Sequence, residues 1–214
     1  MAARILYHFK MSPFSRRARL ALAHKGLAST TELRDARAEP AHMAEVKRLS
    51  ALSTLPVFVD GAHVLVDSTS ILHYLDAAYP DAPALFPSDL DGRVQALETI
   101  ALCDSILNPV VDLGARYFPL SESQVWAATV AERRERIDDA LERLVAIAPS
   151  LGQEGAWRAG EISLYSMILW FGGLPARVGQ TPAIERILAL GVDVPAELLT
   201  WAEPFQTRED VLAL

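Results

Sequence analysis

The chain has 214 residues, 51% of them hydrophobic and 22% charged, a balance that supports a packed core and excludes a disordered chain. Its 20 basic residues against 27 acidic ones give a net charge of −7, which excludes the basic face of a general nucleic-acid binder. A single cysteine, Cys103, excludes an internal disulfide framework and fits a reducing compartment.

The opening MAARILYHF lacks the apolar core of a signal peptide, and Arg4–Phe9 reads instead as a short apolar and aromatic strand. A helix follows through Lys25, with Pro13 at its first turn, Phe14, Ala18, Ala21 and Leu22 on one face, and Gly26 closing it. Arg16, Arg17 and Arg19 read as its solvated side. Ser29–Arg34 alternates as a second strand, and Ala41–Leu52 carries a short helical stripe of Met43, Val46 and Leu49. Val57–Val59 and His63–Val66 form a hairpin around Asp60-Gly61, because Asp-Gly supplies the positive φ that tight hairpin turns need. Asp67-Ser68 opens a helix with Ile71, Leu72 and Leu75 as its stripe and Pro80 beyond its end.

From Leu90 onward only helical periods remain. Leu90–Phe118 and Ser121–Ile147 are long helices, the second opening on a Ser121-Glu122-Ser123-Gln124 capping box. After a glycine-rich break, shorter helices are expected near 163–174, 182–190 and 195–202. The order βαβαββα, then helices, gives an α/β domain over 1–80 and an all-helical domain over 88–214, divided near Phe86–Asp91. No run approaches the ~18 apolar residues of a membrane span, so a cytoplasmic protein with no membrane partner is expected.

Ser12 admits two readings. Serine before proline is an ordinary helix start. The same helix tip also carries free N–H groups and partial positive charge, so a hydroxyl there can stabilise a bound thiolate. A serine nucleophile is not expected: there is no Gly-x-Ser-x-Gly elbow, and His8 is the only nearby base in the sequence. The five histidines, His8, His24, His42, His63 and His73, show no metal-ligand spacing with one another or with Cys103, so no metal is expected. Asp67-Ser68 reads as an N-cap pair or as a carboxylate and hydroxyl that grip a ligand.

SPFSRRARLALAHKG, TLPVFVDGAHVLVDSTSILHYLDAAYP and ALFP, in that order, resemble the glutathione S-transferase superfamily. The resemblance implies a thioredoxin-like domain followed by an all-helical domain, a homodimer, and glutathione as cosubstrate. Ser12 stands where tau- and zeta-like members carry a catalytic serine, within an SPFS motif that includes Phe14. His8 stands where tyrosine-type members hold their hydroxyl. Pro56 matches the family's cis-proline, with the backbone of Leu55 pairing with the cysteinyl part of glutathione. Asp67-Ser68 replaces the usual Glu-Ser that holds the γ-glutamyl end, and His42 falls near the contact for the glycine carboxylate.

In the helical part, Ser163 matches the cap of a core helix whose acidic partner is here Ser166. Asp104, Leu107, Asn108 and Val111 on the long helix, with Tyr165, are candidates for an electrophile pocket. The implied activity is a glutathione transferase in which Ser12 stabilises the thiolate for attack on a hydrophobic electrophile held against the helical domain. A specialised glutathione-dependent lyase or isomerase, β-etherase- or dehalogenase-like, is one alternative. A binding or scaffold protein without turnover is another.

Overall fold

The computed structural model describes residues 4–115, 124–208 and 211. Strand β1 (Arg4–His8) lies inside a four-stranded sheet of order β2-β1-β3-β4. β2 (Thr31–Asp35) is parallel to β1, and the crossover that parallel pairing requires is supplied by α1 (Pro13–His24). β3 (Val57–Asp60) runs antiparallel to β1, and β4 (His63–Val66) antiparallel to β3 across a turn in which Gly61 has φ +58°. The registers place Arg34, Tyr7, Val57 and Val66 in one row. At that end of the sheet β1, β2 and β4 finish and β3 begins.

α2 (Pro40–Leu49) and α3 (Ser68–Ala78) complete the α/β part. α4 (Leu90–Ala115), α5 (Gln124–Ile147), α6 (Ala159–Gly173), α7 (Pro182–Ala189) and α8 (Ala196–Ala202) make the helical domain. Side-chain alternation along β1 divides the interior. Leu6 points into a core shared with Leu20, Phe58 and Leu72 that continues through Ile106, Leu144 and Ile162 of the helical domain. Tyr7 points the other way, into a smaller cluster with Ala36, Val46 and Val57 under α2.

The expected architecture is present, with corrections at several elements. β1 ends at His8, because the Phe9 carbonyl turns to accept from Ser12 N–H at 3.0 Å. A single 3₁₀ turn, Ala28–Thr30, occupies the start expected for β2. α2 stops at Leu49, leaving Leu52 exposed beyond it. The Ser121-Glu122-Ser123-Gln124 box falls at 116–123 and the adjoining Gln124, so its geometry lies outside the described residues, as does Phe118.

Two corrections bear on the site. α1 has no solvated basic face: Arg16, Arg17 and Arg19 are 9%, 0% and 7% exposed. The helix is walled by α3 on one side and α6 on another, neither of which is visible in its own periodicity. α6 starts a turn earlier than expected. Its first turn is closed by Glu161, whose carboxylate accepts from Arg158 N–H and Gly152 N–H, each at 3.0 Å. Ser163 is therefore no cap but a buried interior residue, its hydroxyl donating to the Ala159 carbonyl at 2.6 Å, and Ser166 does the same toward Ile162 at 2.7 Å.

Among the described residues α4 is the one helix long and apolar enough to cross a membrane. Here it packs against α5, α6 and α7.

Candidate active site

The row Tyr7–Val57–Val66 brings three helix or strand starts to one sheet edge. Ser12 follows β1, Pro56 precedes β3, and Asp67 follows β4, with strand neighbours about 5 Å apart.

Ser12 is the N-cap of α1, extended at φ −75°, ψ 130°. Its Oγ accepts from Ser15 N–H at 3.2 Å, and its carbonyl accepts from Arg16 N–H at 2.9 Å. No acidic residue occupies the first turn of α1, so the positive end of the helix is unopposed there. Ser12 is half-buried, whereas Ser15 is fully buried and its Oγ accepts from Phe9 N–H at 3.1 Å. Of the two serines, only Ser12 reaches the surface with its hydroxyl proton uncommitted. Phe14 is half-buried beside it, the Arg17 guanidinium lying 5.8 Å from its ring centre.

The Leu55-Pro56 peptide bond is cis, and Leu55 packs on the Tyr7 cluster. Asp67 caps α3 at φ +75° and ψ 139°, a positive-φ conformation outside the left-handed helical well that residues with a side chain rarely adopt. Its carboxylate accepts from Thr69 N–H at 2.8 Å and from Ser70 N–H at 3.4 Å. Ser68 is 1% exposed, and its Oγ accepts from Arg17 at 3.2 Å. His42 is half-buried on α2, its Nδ1 3.2 Å from the Asp35 carbonyl and its Nε2 3.5 Å from Glu39. Asp35 pairs with His8 in the sheet, so His42 belongs to the same edge.

The side chains ending β1 are occupied otherwise. His8 is 6% exposed, with no partner at Nδ1 among the described residues. Burial first, then the charges of Arg19 and Lys10, hold its pKa below the usual value against the pull of Asp35, leaving it neutral at pH 7. The Tyr7 hydroxyl donates to Glu45 at 2.5 Å and accepts from Arg34 at 3.0 Å on the α2 side. Burial and the Glu45 hydrogen bond raise its pKa.

Residues 6–83 match the family model for the glutathione S-transferase N-terminal domain. Maleylpyruvate isomerase of a Ralstonia species is 32% identical over 166 residues, 69% of this chain and 71% of that protein. The chain belongs to the glutathione S-transferase superfamily. Glutathione S-transferase Z1 of Arabidopsis thaliana is 32% identical over 111 residues, covering 49% of this chain and 47% of the plant protein. A glutathione transferase family member from Pseudomonas fluorescens, solved with bound glutathione, superposes with a TM-score of 0.75 at 25% identity. That likeness covers 98% of this chain and 97% of the other.

On the helical side of this superfamily member, the five residues expected around an electrophile separate. Asn108 is exposed and Val111 half-buried. Leu107 is fully buried in the core, and Tyr165 is 1% exposed, edge-on to Trp157 and Phe205 at 5.4 and 6.1 Å. Leu107 of α4 faces the core that α4 shares with α6, and Tyr165, itself on α6, turns toward Trp157 and Phe205, so neither reaches the surface as expected. Asp104 does not stand free, because its Oδ1 accepts from Arg17 at 2.7 Å.

Sequence reasoning missed the arginines of α1 as site-wall residues. The available signal was spacing: Arg17 lies three residues after Phe14 and four before Ala21, on the apolar stripe itself. Arg16 donates to the Ser166 carbonyl at 3.4 Å, and no carboxylate pairs with it among the described residues. Burial, then the charges of Arg19 and Arg177, lower its pKa to about 10, opposed by Tyr165. Cys103 is fully buried, which pushes its thiol up to about 12, so it is inert.

Proposed function

We propose that this chain is a glutathione transferase that binds glutathione along the sheet edge and uses Ser12 to stabilise its thiolate. The observation that carries the reading is the half-exposed Ser12 hydroxyl at the unopposed tip of α1, beside the cis Leu55-Pro56 bond and the Asp67-Ser68 start of α3. Phe14, His42, Leu55, Pro56, Asp67 and Ser68 are the glutathione-side residues of this proposal.

A thiol of pKa about 8.5 is only a few per cent ionised at neutral pH. A hydrogen bond to a charged group contributes about 1.5–3 kcal/mol and the helix end about 0.3–1. At about 1.4 kcal/mol per pKa unit, these lower the bound thiol by about two units and make it largely thiolate. The sulfur then attacks an electrophilic carbon held against Asn108 and Val111. The S–C bond forms as the leaving group departs with its electron pair, the thiol proton having gone to solvent.

Purified protein is expected to conjugate a generic aromatic electrophile. Ser12→Ala is expected to lower kcat/KM at least tenfold with an unchanged circular dichroism spectrum, and an unchanged rate removes Ser12 from the mechanism. Absence of glutathione binding at millimolar ligand by calorimetry favours a scaffold instead.

A second reading is a glutathione-dependent isomerase. Arg16, buried beside Arg19 and Arg177 with no carboxylate paired to it among the described residues, favours a substrate that brings its own carboxylate. Two relatives are named as isomerases, the Ralstonia maleylpyruvate isomerase and a probable maleylacetoacetate isomerase of Caenorhabditis elegans. Thiolate addition across a conjugated double bond, rotation and elimination would regenerate glutathione. Turnover of an unsaturated carboxylate without glutathione consumption distinguishes this from conjugation.

The proposal includes a homodimer. Leu90, Val94 and Leu97 are 74%, 54% and 38% exposed along one side of α4, an apolar stripe that a second copy would cover. A monomer by light scattering counts against it.

A further inference from the structure

Ser15, the second serine of the SPFS stretch, is fully buried in the first turn of α1, out of reach of a ligand. Three hydrogen bonds nevertheless close a ring through it. Ser12 N–H donates to the Phe9 carbonyl at 3.0 Å, Phe9 N–H to Ser15 Oγ at 3.1 Å, and Ser15 N–H back to Ser12 Oγ at 3.2 Å. Ordinary capping needs only the last of these bonds. The other two tie the helix start to the end of β1 and remove the freedom of the loop between them. That loop is held once more from α1, because the Lys10 carbonyl accepts from the Arg19 guanidinium at 3.0 Å. Since Ser12 Oγ already accepts from Ser15 N–H, its own proton is the group left to point out of the ring. In a capping box an acid or amide would stand where Ser15 does. A serine makes its reach to the strand end without adding negative charge at the helix tip.

We infer that Ser15 is a positioning residue for Ser12: its buried hydroxyl locks the helix start to the strand end and so sets the direction in which the Ser12 hydroxyl meets a bound sulfur. This rests on the Ser12 reading above.

The test is a double-mutant cycle on Ser12 and Ser15 with three measurements. These are kcat/KM, the thiol pKa of bound glutathione from its ultraviolet thiolate absorbance, and calorimetric affinity for S-methylglutathione, whose sulfur cannot ionise. Ser15→Ala strands the Phe9 N–H. It is expected to lower kcat/KM about fivefold and raise the bound thiol's pKa by about half a unit or more. Affinity for S-methylglutathione is expected to be unchanged. In a Ser12→Ala background the same change is expected to cost nothing further, because its effect passes through Ser12. Additive losses, or a parallel loss of S-methylglutathione affinity, assign Ser15 a merely structural role and overturn the inference. If Ser15→Ala does not fold by circular dichroism, Ser15→Cys, whose sulfur is a weaker acceptor, carries the same cycle. Wild-type protein that binds no glutathione, or a Ser12→Ala variant as active as wild type, overturns the proposed function and this inference with it. An impaired Ser12→Ala beside an unaffected Ser15→Ala overturns the inference alone.

Discussion

α1 and α6 pack against each other, yet their first turns are finished in opposite ways. At α6, the Glu161 carboxylate satisfies two backbone N–H groups and is itself 6% exposed, so the protein completes that helix start from within. At α1, a neutral hydroxyl accepts a single N–H at 3.2 Å, stays half-exposed, and no acid occupies the first turn. Both are ordinary caps in local terms. The difference is that one leaves the helix end's field unopposed, and an incoming anion is what would oppose it.

Ser12→Asp breaks this comparison most directly. Aspartate caps a helix about as well as serine, so the thermal midpoint should stay within a few degrees of wild type. A second negative charge about 4 Å from the sulfur costs roughly 4 kcal/mol at an intermediate dielectric, so kcat/KM should fall ~100-fold or more. Ultraviolet thiolate absorbance of bound glutathione should vanish in parallel. A variant that stays active would show that the tip's field does not matter.

Glu161→Ala is the opposite case. Removing a charged acceptor from two buried N–H groups should cost about 2–4 kcal/mol in urea denaturation. Glutathione affinity per folded molecule should be untouched.

The smallest effect concerns Asp76 on α3. Burial would raise its pKa, but the Leu85 N–H at 2.7 Å and Lys25 at 3.0 Å, with the Phe86 N–H, hold it below the usual aspartate value. A depressed folded pKa means the stabilisation is complete above the unfolded value and is lost as pH falls through the folded one. Asp76→Asn should therefore be less stable than wild type at pH 7, with the gap closing below about pH 4. A gap that persists in acid would assign the loss to packing.

What could be read from the chain follows the range of the physics. The Asp60-Gly61 turn, the Ser12-Pro13 start and the Asp67-Ser68 start are each decided by a few adjacent residues, and all three occur where expected. The fate of Arg16 and Arg17 is decided by partners far along the chain, Ser166 and Asp104, so their charge assigned them to water even though Arg17 keeps the spacing of the apolar stripe. Ser163 misled for a related reason: inside a helix a hydroxyl can donate to the carbonyl four residues back, and nothing local separates that use from capping. Leu107 and Tyr165 share the apolar spacing of a pocket wall and of a core alike, and only the packing of α4 and α6 decides between them.

The burial of α1 on all sides has a consequence for how the molecule comes apart. The change of texture near Phe86–Asp91 reads as a seam between independent halves. Yet α1 is shared: Leu20, Ala21 and Leu22 belong to the same continuous core as Ile106 and Ile162, and Arg17 is tied to α4. Detaching the helical half would bare a charged, formerly dry helix flank to water and orphan its ion pair. A single cooperative transition, rather than a two-step melt along the seam visible in composition, is therefore the expected outcome of thermal unfolding.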